Sequence, residues 1–227
     1  MGHLQRAGRA GRHPDGQSGV SAASDPFLSK LVLASASPRR RELLAQAGFT
    51  FDVFTADIPE VRKPGEDPIR FVSRLAREKA EAVAERHHIS PETIVLGADT
   101  IVLVDDEVLG KPQDAADAKR MLRLLSGRTH QVITGVCLMK GRERQRAAEV
   151  TFVRFTTLSD QEIEEYIATG EPLDKAGAYA IQGRAGRWVP RIHGCYFNVV
   201  GLPLALVSSM IEAMQQVTLS PSPSSFN

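Results

Sequence analysis

Cysteine is scarce in this sequence, and long apolar runs are missing from it. The 227 residues include only two cysteines, Cys137 and Cys195, which is too few for a disulfide framework and favours reduced thiols. No uninterrupted apolar stretch approaches the roughly 20 residues of a membrane-spanning helix. The amino terminus lacks the apolar middle segment of a signal peptide. These features together predict a cytoplasmic protein without a membrane partner.

An excess of charge of either sign is missing as well. The chain has 28 Lys and Arg residues against 27 Asp and Glu residues, for a net charge of +1. Nucleic-acid binders are usually strongly basic, so nucleic acid is not expected as a partner, and an anion site must come from local clustering. The Walker A pattern, the Cys and His spacing of zinc sites and the Gly-x-Ser-x-Gly elbow of hydrolases are also absent.

The two ends of the chain have low-complexity compositions. Residues 1–27 are rich in Gly, Arg, Ser and Ala and predict a disordered basic extension. The regular spacing of Arg6, Arg9 and Arg12 leaves open a basic arm for an anionic partner. Residues 216–227 predict a disordered tail. One domain is therefore expected over residues 28–215.

Strand and helix patterns alternate through this domain, which predicts an α/β layered fold. The predicted strands are Leu31–Ala34, Phe51–Phe54, Thr93–Val104 with a break at Gly97–Asp99, Gln131–Met139, Glu149–Thr156 and Asn198–Val200. The predicted helices are Ser37–Ala47, Asp67–Arg86, Asp114–Leu125, Ser159–Ala168 and Leu204–Met214. Ser37 and Asp67 are predicted N-caps, each followed by a proline, and Ser159 opens a capping box. Trp188, Tyr196 and Phe197 are expected in the core.

Three consecutive arginines follow the predicted N-cap Ser37. Cations are unfavourable at Arg39, Arg40 and Arg41 because a helix N-terminus carries partial positive charge. A bound anion would reverse this, since backbone N–H groups and guanidiniums would then face a phosphate together. The alternative is a solvated charge run on a surface helix.

Two charged residues interrupt apolar patterns. Lys79 lies on the face of the predicted helix that also carries Leu75 and Val83, where it is either paired or extends its ammonium group to solvent. Asp99 interrupts the most apolar stretch of the chain, so its carboxylate must be paired, metal-bound or protonated if it is buried. A turn aspartate between two strands is the alternative.

Weaker signals lie in the loops. Gln182, in the small-residue segment 174–183, offers a donor and an acceptor to a base edge, although the segment taken alone is better explained as an ordinary glycine-rich loop. Lys111 follows Gly110 in a predicted loop, and Glu60 resembles any surface glutamate. Clustered Arg and Lys with buried carboxylates suit phosphoryl chemistry, in which the carboxylates hold Mg²⁺ or Mn²⁺ or accept a proton from water. The residues alone predict a phosphate-ester or nucleotide enzyme.

Six blocks in series resemble the Maf family of nucleoside triphosphate pyrophosphatases, which is linked to septum formation. The blocks are Leu-Ala-Ser-Ala-Ser-Pro-Arg-Arg-Arg-Glu-Leu-Leu (33–44), Ala-Arg-Glu-Lys-Ala (76–80), Gly-Ala-Asp-Thr (97–100), Leu-Gly-Lys-Pro (109–112), Asp-Lys-Ala-Gly-Ala-Tyr-Ala-Ile-Gln-Gly (174–183) and Asn-Val-Val-Gly-Leu-Pro (198–203). The similarity runs from about Leu31 to Ile211. One departure is the extension before Leu31, because members of the family begin just before that strand.

The resemblance implies a mixed, twisted sheet with flanking helices and two lobes around a deep nucleotide cleft, often in a homodimer. It implies attack of water on the α-phosphorus of a nucleoside triphosphate with a divalent metal, and Asp99 as the general base. The resemblance assigns further residues to substrate choice (Arg39, Thr100 and Gln182), to the phosphate cleft (Arg40, Lys79 and Lys111) and, with Asp99, to the metal (Glu60). Ser37 is expected beside the phosphates.

The block at 174–183 looks most like the subfamily that acts on dTTP and UTP. Two other functions stay open. One is a non-enzymatic regulator of septum formation that binds nucleotide or nucleic acid. The other is a house-cleaning pyrophosphatase for purine triphosphates of the inosine or 7-methyl-GTP type. Whether Asp99 acts as base or as metal ligand also stays open, because a carboxylate that ligates a metal is a poorer base.

Overall fold

The computed structural model describes residues 30–55 and 57–217. The predicted extension over residues 1–27 lies outside the described residues, as do residues 218–227 of the predicted tail. Within the described part of the chain, no helix is long and apolar enough to cross a membrane.

A seven-stranded mixed sheet forms the centre of the fold. Its strands are β1 (Leu31–Ala34), β2 (Phe51–Phe54), β3 (Ile94–Val104), β4 (Glu107–Leu109), β5 (Thr129–Lys140), β6 (Glu143–Arg154) and β7 (Arg191–His193). The order across the sheet is β2-β1-β3-β5-β6-β7, and β4 pairs with β3 off this path. Strand β1 runs parallel to β2 and β3, whereas the remaining pairs are antiparallel. The predicted mixed α/β fold is confirmed.

The helices flank this sheet. They are α1 (Pro38–Gln46), α2 (Pro68–Arg86), α3 (Ala115–Leu125), α4 (Asp160–Ile167), α5 (Tyr196–Val200) and α6 (Leu204–Val217). Four helices begin with an N-cap residue whose side-chain oxygen accepts a hydrogen bond from the backbone N–H of the third helical residue. The four N-cap residues are Ser37, Asp67, Asp114 and Ser159. The capping box between Ser159 and Glu162 is complete in both directions.

Two predicted elements are wrong. Strand β3 is continuous through Gly97–Asp99, since these residues keep their antiparallel register with β5 and Asp99 pairs with Gly135. The segment Asn198–Val200 is part of helix α5 rather than a strand. Glycines with positive φ precede and follow that helix, Gly194 and Gly201, so the backbone turns sharply at both ends.

Side chains around α5 also correct one expectation about the core. Tyr196 and Phe197 are 41% and 40% exposed, so the prediction that they are buried is wrong. Their rings pack against each other with centroids 5.7 Å apart. Trp188 is buried, as predicted.

Buried apolar side chains form two large clusters with a cleft between them. One cluster packs α3, α4 and the carboxyl-terminal half of β3, and it includes Leu122 and Phe155. The other packs β1, α1 and α6, and it includes Leu33 and Met214. A cavity of about 800 Å³ is lined by residues next to both clusters. The structure therefore has the two lobes and the deep cleft that were expected.

Candidate active site

One cleft brings together all the side chains that the sequence singled out for the site. They are Ser37, Arg39, Arg40, Glu60, Lys79, Asp99, Thr100, Lys111 and Gln182. They come from the start of α1, the loop before α2, the middle of α2, the middle of β3, the loop after β4 and the small-residue segment. Residues distant in sequence thus form a single site with cations and carboxylates facing one cavity.

Two glycines set the distance between α2 and the sheet beneath it. A Cβ atom on Gly97 would lie 2.0 Å from the carbonyl oxygen of Ala76, and one on Gly135 would lie 2.5 Å from the backbone of Val72. Real Cβ atoms do not approach backbone so closely, so only glycine fits at both positions. The backbone of α2 therefore rests directly on β3 and β5, which brings Lys79 within reach of Asp99.

Lys79 joins two of the carboxylates that line the cleft. Its Nζ lies 2.6 Å from Oδ1 of Asp99 and 2.5 Å from Oε1 of Glu60. The Asp99 side chain is 8% exposed and the Glu60 side chain is 48% exposed. Lys79 is therefore paired rather than extended into bulk solvent, and Asp99 is a buried strand residue rather than a turn aspartate.

The pKa values of Asp99 and Glu60 are shifted in opposite directions by their surroundings. Burial raises the pKa of Asp99 above that of an ordinary carboxyl, because the charges of Lys79 and Arg40 offset only part of the desolvation. Burial also tends to raise the pKa of Glu60. The hydrogen bond and charge of Lys79, together with the charge of Lys111, outweigh this effect, so the pKa of Glu60 is lowered overall. Asp99 is therefore the stronger base of the two, and Glu60 stays ionised more readily.

Arg40 is a buried cation held by the protein itself. Its Nε donates to the carbonyl of Gly201 at 2.8 Å, and its Nη1 donates to Ala98 at 2.9 Å and to Ser35 at 3.2 Å. Its Nη2 donates to the hydroxyl of Thr100 at 2.9 Å. A guanidinium has five N–H groups, so only one is left for a ligand. Arg40 thus supplies positive charge to the cleft more than hydrogen bonds.

The other two arginines of α1 differ from each other. Arg39 lines the cleft, and its Nη1 lies 3.4 Å from Oδ2 of Asp174 across the cleft mouth. Arg41 is exposed to solvent and is not one of the residues that line the cleft. Two of the three guanidiniums in the run, those of Arg39 and Arg40, therefore line the cleft. A helix shows successive side chains about 100° apart, so three neighbours cannot share one face.

The part of the cleft near Lys111 and Gln182 suits a flat ligand. Lys111 and Gln182 are both exposed within the cleft. Apolar side chains also line the cleft, among them Phe71, Leu75 and Ile181. An amide next to apolar surface can bind the edge of a base whose face packs on that surface.

Sequence reasoning missed two polar residues of the site. Ser35 is buried, and its hydroxyl accepts hydrogen bonds from Arg40 and from the N–H of Ser37. Thr134, on β5, is completely buried, and its hydroxyl lies 2.9 Å from that of Thr100. Ser35 could have been found from the alternation of serine and alanine before α1. Nothing in the sequence near Thr134 distinguishes it from an ordinary strand threonine.

Asp99 and Glu60 are the residues to consider as ligands for a divalent cation. Asp99 and Glu60 both direct an oxygen at the ammonium group of Lys79, so the two carboxylates lie on either side of that cation. Among residues 30–55 and 57–217, no group of three or more His, Cys, Asp or Glu side chains could hold a metal. Mg²⁺ is commonly held by one or two carboxylates together with substrate phosphates, which is the set available here.

Comparisons with known proteins identify the family of the chain. The family model described as "Maf-like protein" matches residues 30–214. The dTTP/UTP pyrophosphatase of Koribacter versatilis is 56% identical over 182 residues, which cover 80% of this chain and 93% of that protein. The dTTP/UTP pyrophosphatase of Vibrio cholerae is 54% identical over 177 residues, or 78% and 94% of the two chains.

Solved structures give a more distant similarity. The Ham1 protein of Staphylococcus aureus is 12% identical, with a TM-score of 0.43 over 82% of this chain and 100% of that one. A nucleoside-triphosphatase, or dITP/XTP pyrophosphatase, of Mycobacterium abscessus is 14% identical, with a TM-score of 0.37 over 82% and 97% of the two chains.

Proposed function

Because the chain belongs to the Maf family, we propose that its cleft hydrolyses dTTP and UTP to the nucleoside monophosphate and pyrophosphate. Relatives named dTTP/UTP pyrophosphatase share more than half of their residues with it over most of both chains. The protein is thus a hydrolase that acts on a phosphoric anhydride of a nucleoside triphosphate.

One observation carries this proposal: a buried carboxylate faces several cations in a single cavity. Arg39, Lys79 and Lys111 line the cleft together with Asp99. The cations offset the negative charge of a triphosphate, which would otherwise repel the carboxylate and the attacking water. The volume of about 800 Å³ lies within the range of small-molecule sites, so a nucleotide fits.

We assign proton transfer to Asp99. Water attacks the α-phosphorus, its proton passes to Asp99, and the bond from the α-phosphorus to the bridging oxygen breaks to release pyrophosphate. A general base works best when its pKa approaches the working pH, and burial moves Asp99 in that direction. Lys79 holds the carboxylate in place through the contact at 2.6 Å.

We assign a divalent cation, Mg²⁺ or Mn²⁺, chiefly to the carboxylate of Glu60, so that the neighbouring carboxylate of Asp99 keeps its role as the base. When bound there, it would neutralise charge on the phosphate oxygens. Glu60 is the better permanent ligand of the two, because its pKa is lowered. Isothermal titration of the protein with Mn²⁺, with and without a non-hydrolysable dTTP analogue, tests this site. Binding that needs the analogue supports it, whereas Glu60→Gln binding Mn²⁺ as tightly as wild type in its presence contradicts it.

We assign base recognition to Gln182. Its side-chain amide both donates and accepts, which matches the carbonyls and the N3–H of uracil and thymine. Its exposed position in the cleft leaves the amide accessible to a ligand. The small residues around it, such as Ala176 and Ala180, let a base approach the backbone closely.

The cytoplasm is the proposed location, and a homodimer is the proposed assembly. Cys137 and Cys195 are both free thiols in the structure, as expected in a reducing compartment. Light scattering coupled to gel filtration checks the assembly, and a monomer mass at micromolar concentration would contradict it.

A nucleotide panel tests the proposed function. The purified protein is incubated with Mg²⁺ or Mn²⁺ and each of dTTP, UTP, CTP, GTP, ITP and 7-methyl-GTP, and pyrophosphate and nucleoside monophosphate are quantified together. We expect both products in equal amounts, with dTTP and UTP the preferred substrates. Preference for ITP or 7-methyl-GTP would indicate the purine house-cleaning function. Binding of nucleotide without turnover would indicate the regulator.

A further inference from the structure

A pair of threonine hydroxyls lies at the floor of the cleft. Thr134 on β5 is directly opposite Thr100 on β3 in the antiparallel ladder, and their Oγ1 atoms are 2.9 Å apart. Thr100 lines the cavity, whereas Thr134 is completely buried behind it. A buried hydroxyl is costly unless it is hydrogen-bonded, so the position of Thr134 calls for a partner such as Thr100.

The Thr100 side chain lines the cleft, and its hydroxyl contacts the buried cation Arg40. The hydroxyl accepts the hydrogen bond of Arg40 Nη2 at 2.9 Å and lies 3.4 Å from the carbonyl oxygen of Gly201. Gly201 also accepts from Arg40 Nε at 2.8 Å. Without the contact to Thr134, the Thr100 hydroxyl would keep only the contact to Arg40 and the long one to Gly201.

Thr134 contacts helix α5 as well as Thr100. Its hydroxyl lies 3.4 Å from the carbonyl oxygen of Asn198, and the Asn198 amide donates to the Val132 carbonyl and to the Thr151 hydroxyl, each at 3.0 Å. Helix α5 ends at Val200, and the carbonyl oxygen of its C-cap, Gly201, accepts a hydrogen bond from Arg40. The Thr134 hydroxyl thus touches both elements that fix the buried guanidinium.

We propose that Thr134 is a positioning residue for hydrolysis, which acts by fixing the Thr100 hydroxyl and, through it, the guanidinium of Arg40 beneath the bound triphosphate. The inference rests on the proposed function of the cleft. Thr134 does not line the cavity, so it acts through Thr100. The cleft-lining cations Lys79 and Lys111 do not depend on it, so loss of the Thr134 hydroxyl should reduce kcat more than it raises KM.

The test uses substitutions that separate the hydroxyl from the volume of the side chain. Thr134→Val keeps the shape and removes the hydroxyl, and Thr134→Ser keeps the hydroxyl. Thr151→Val is the control for the α5 side of this network, because Thr151 is equally buried and hydrogen-bonds Asn198 and Cys195 but contacts neither Thr100 nor Arg40. Each variant is assayed for pyrophosphate release from dTTP, with urea unfolding measured in parallel.

We expect Thr134→Val to lower kcat about tenfold with KM changed by less than about twofold, as for one lost hydrogen bond that orders a site. Thr134→Ser should stay within about twofold of wild type. Thr151→Val should lose stability and keep kcat within about threefold. Wild-type kcat in Thr134→Val would overturn the inference, as would equal losses of kcat in Thr134→Ser or in Thr151→Val.

A double-mutant cycle tests whether Thr134 acts through Thr100. In a Thr100→Val background, Thr134→Val should have little further effect on kcat, because the hydroxyl that it positions is already gone. Full additivity of the two losses would overturn the inference. Should Thr134→Val fail to fold, Thr134→Cys replaces it, since a thiol is a weak donor of similar size; wild-type kcat in that variant would overturn the inference too. A wild-type protein without turnover would refute the proposed function instead.

Discussion

Replacing Gly97 with alanine should lift helix α2 off the sheet. The added Cβ would lie 2.0 Å from the carbonyl oxygen of Ala76, whereas a close carbon–oxygen contact is about 3.3 to 3.6 Å. The helix or the strand must therefore shift by roughly 1.3 Å or more. Because the obstructing atom belongs to the backbone, a side-chain rotation cannot relieve the contact. Overpacking of this kind costs about 1–3 kcal/mol of folding free energy.

The shift would act on the site through Lys79. This residue lies on α2 and Asp99 lies two residues after Gly97 on β3, so the displaced elements are the ones that hold the contact of 2.6 Å. A displacement of about 1 Å at a catalytic group can cost about 10²-fold in rate. The lysine stem is flexible and can follow part of the shift, so we expect kcat to fall by about 10- to 100-fold.

The assay measures pyrophosphate release from dTTP, with circular dichroism and urea unfolding on the same samples. Gly135→Ala should act in the same direction, because its Cβ would lie 2.5 Å from the Val72 backbone. Arg70→Ala, on the exposed side of α2, is the control and should keep wild-type kcat. A folded Gly97→Ala protein with wild-type kcat would refute the argument that close approach of α2 sets the Lys79–Asp99 geometry.

Three further variants test separate parts of the site and the core. Asp99→Asn should fold normally and lose at least about 10²-fold in kcat, the usual contribution of a general base; near wild-type turnover of every nucleotide would contradict the assignment. Gln182→Ala should raise KM or reduce the preference for dTTP and UTP over CTP and GTP, and unchanged selectivity in the nucleotide panel would count against base recognition by Gln182. Burial lowers the pKa of His130 to about 3. Between that pH and the ordinary pKa of 6.5, the unfolded chain binds one proton more than the folded chain. The free energy of unfolding therefore falls by about 1 kcal/mol per pH unit as the pH falls through this window. Urea unfolding at several pH values should therefore show that the free energy of unfolding falls less steeply on acidification for His130→Gln than for wild type, and parallel curves would refute this effect of His130 on stability.

Local signals predicted much of the fold. Helices α1 and α2 begin where a capping residue is followed by proline, at Ser37 and Asp67, because capping depends on a few neighbouring residues. The strand break at Gly97 was wrong because glycine often weakens a strand, and only the approach of α2 shows why it is needed there. Helix α5 was missed because its five residues are too few for a helical periodicity to appear.

The sequence singled out nine side chains that line the cleft but missed Ser35 and Thr134, and it did not predict the contacts within the site. Lys79 and Asp99 break apolar patterns, so the sequence marks them as residues that need partners. The fixed guanidinium of Arg40 and the buried hydroxyl of Thr134 depend on contacts between residues far apart in the chain. No local pattern encodes such contacts. The outward direction of Arg41 follows from helical geometry once α1 is in place.

A crystal structure with a dTTP analogue that carries an imido group between the α- and β-phosphorus, grown with Mg²⁺, tests the central claim most directly. We predict that its triphosphate lies in the cleft against Arg39, Lys79 and Lys111, with the α-phosphorus one water molecule away from Asp99. An analogue bound in the cleft with its α-phosphorus turned away from Asp99, or bound elsewhere on the protein, would contradict the account.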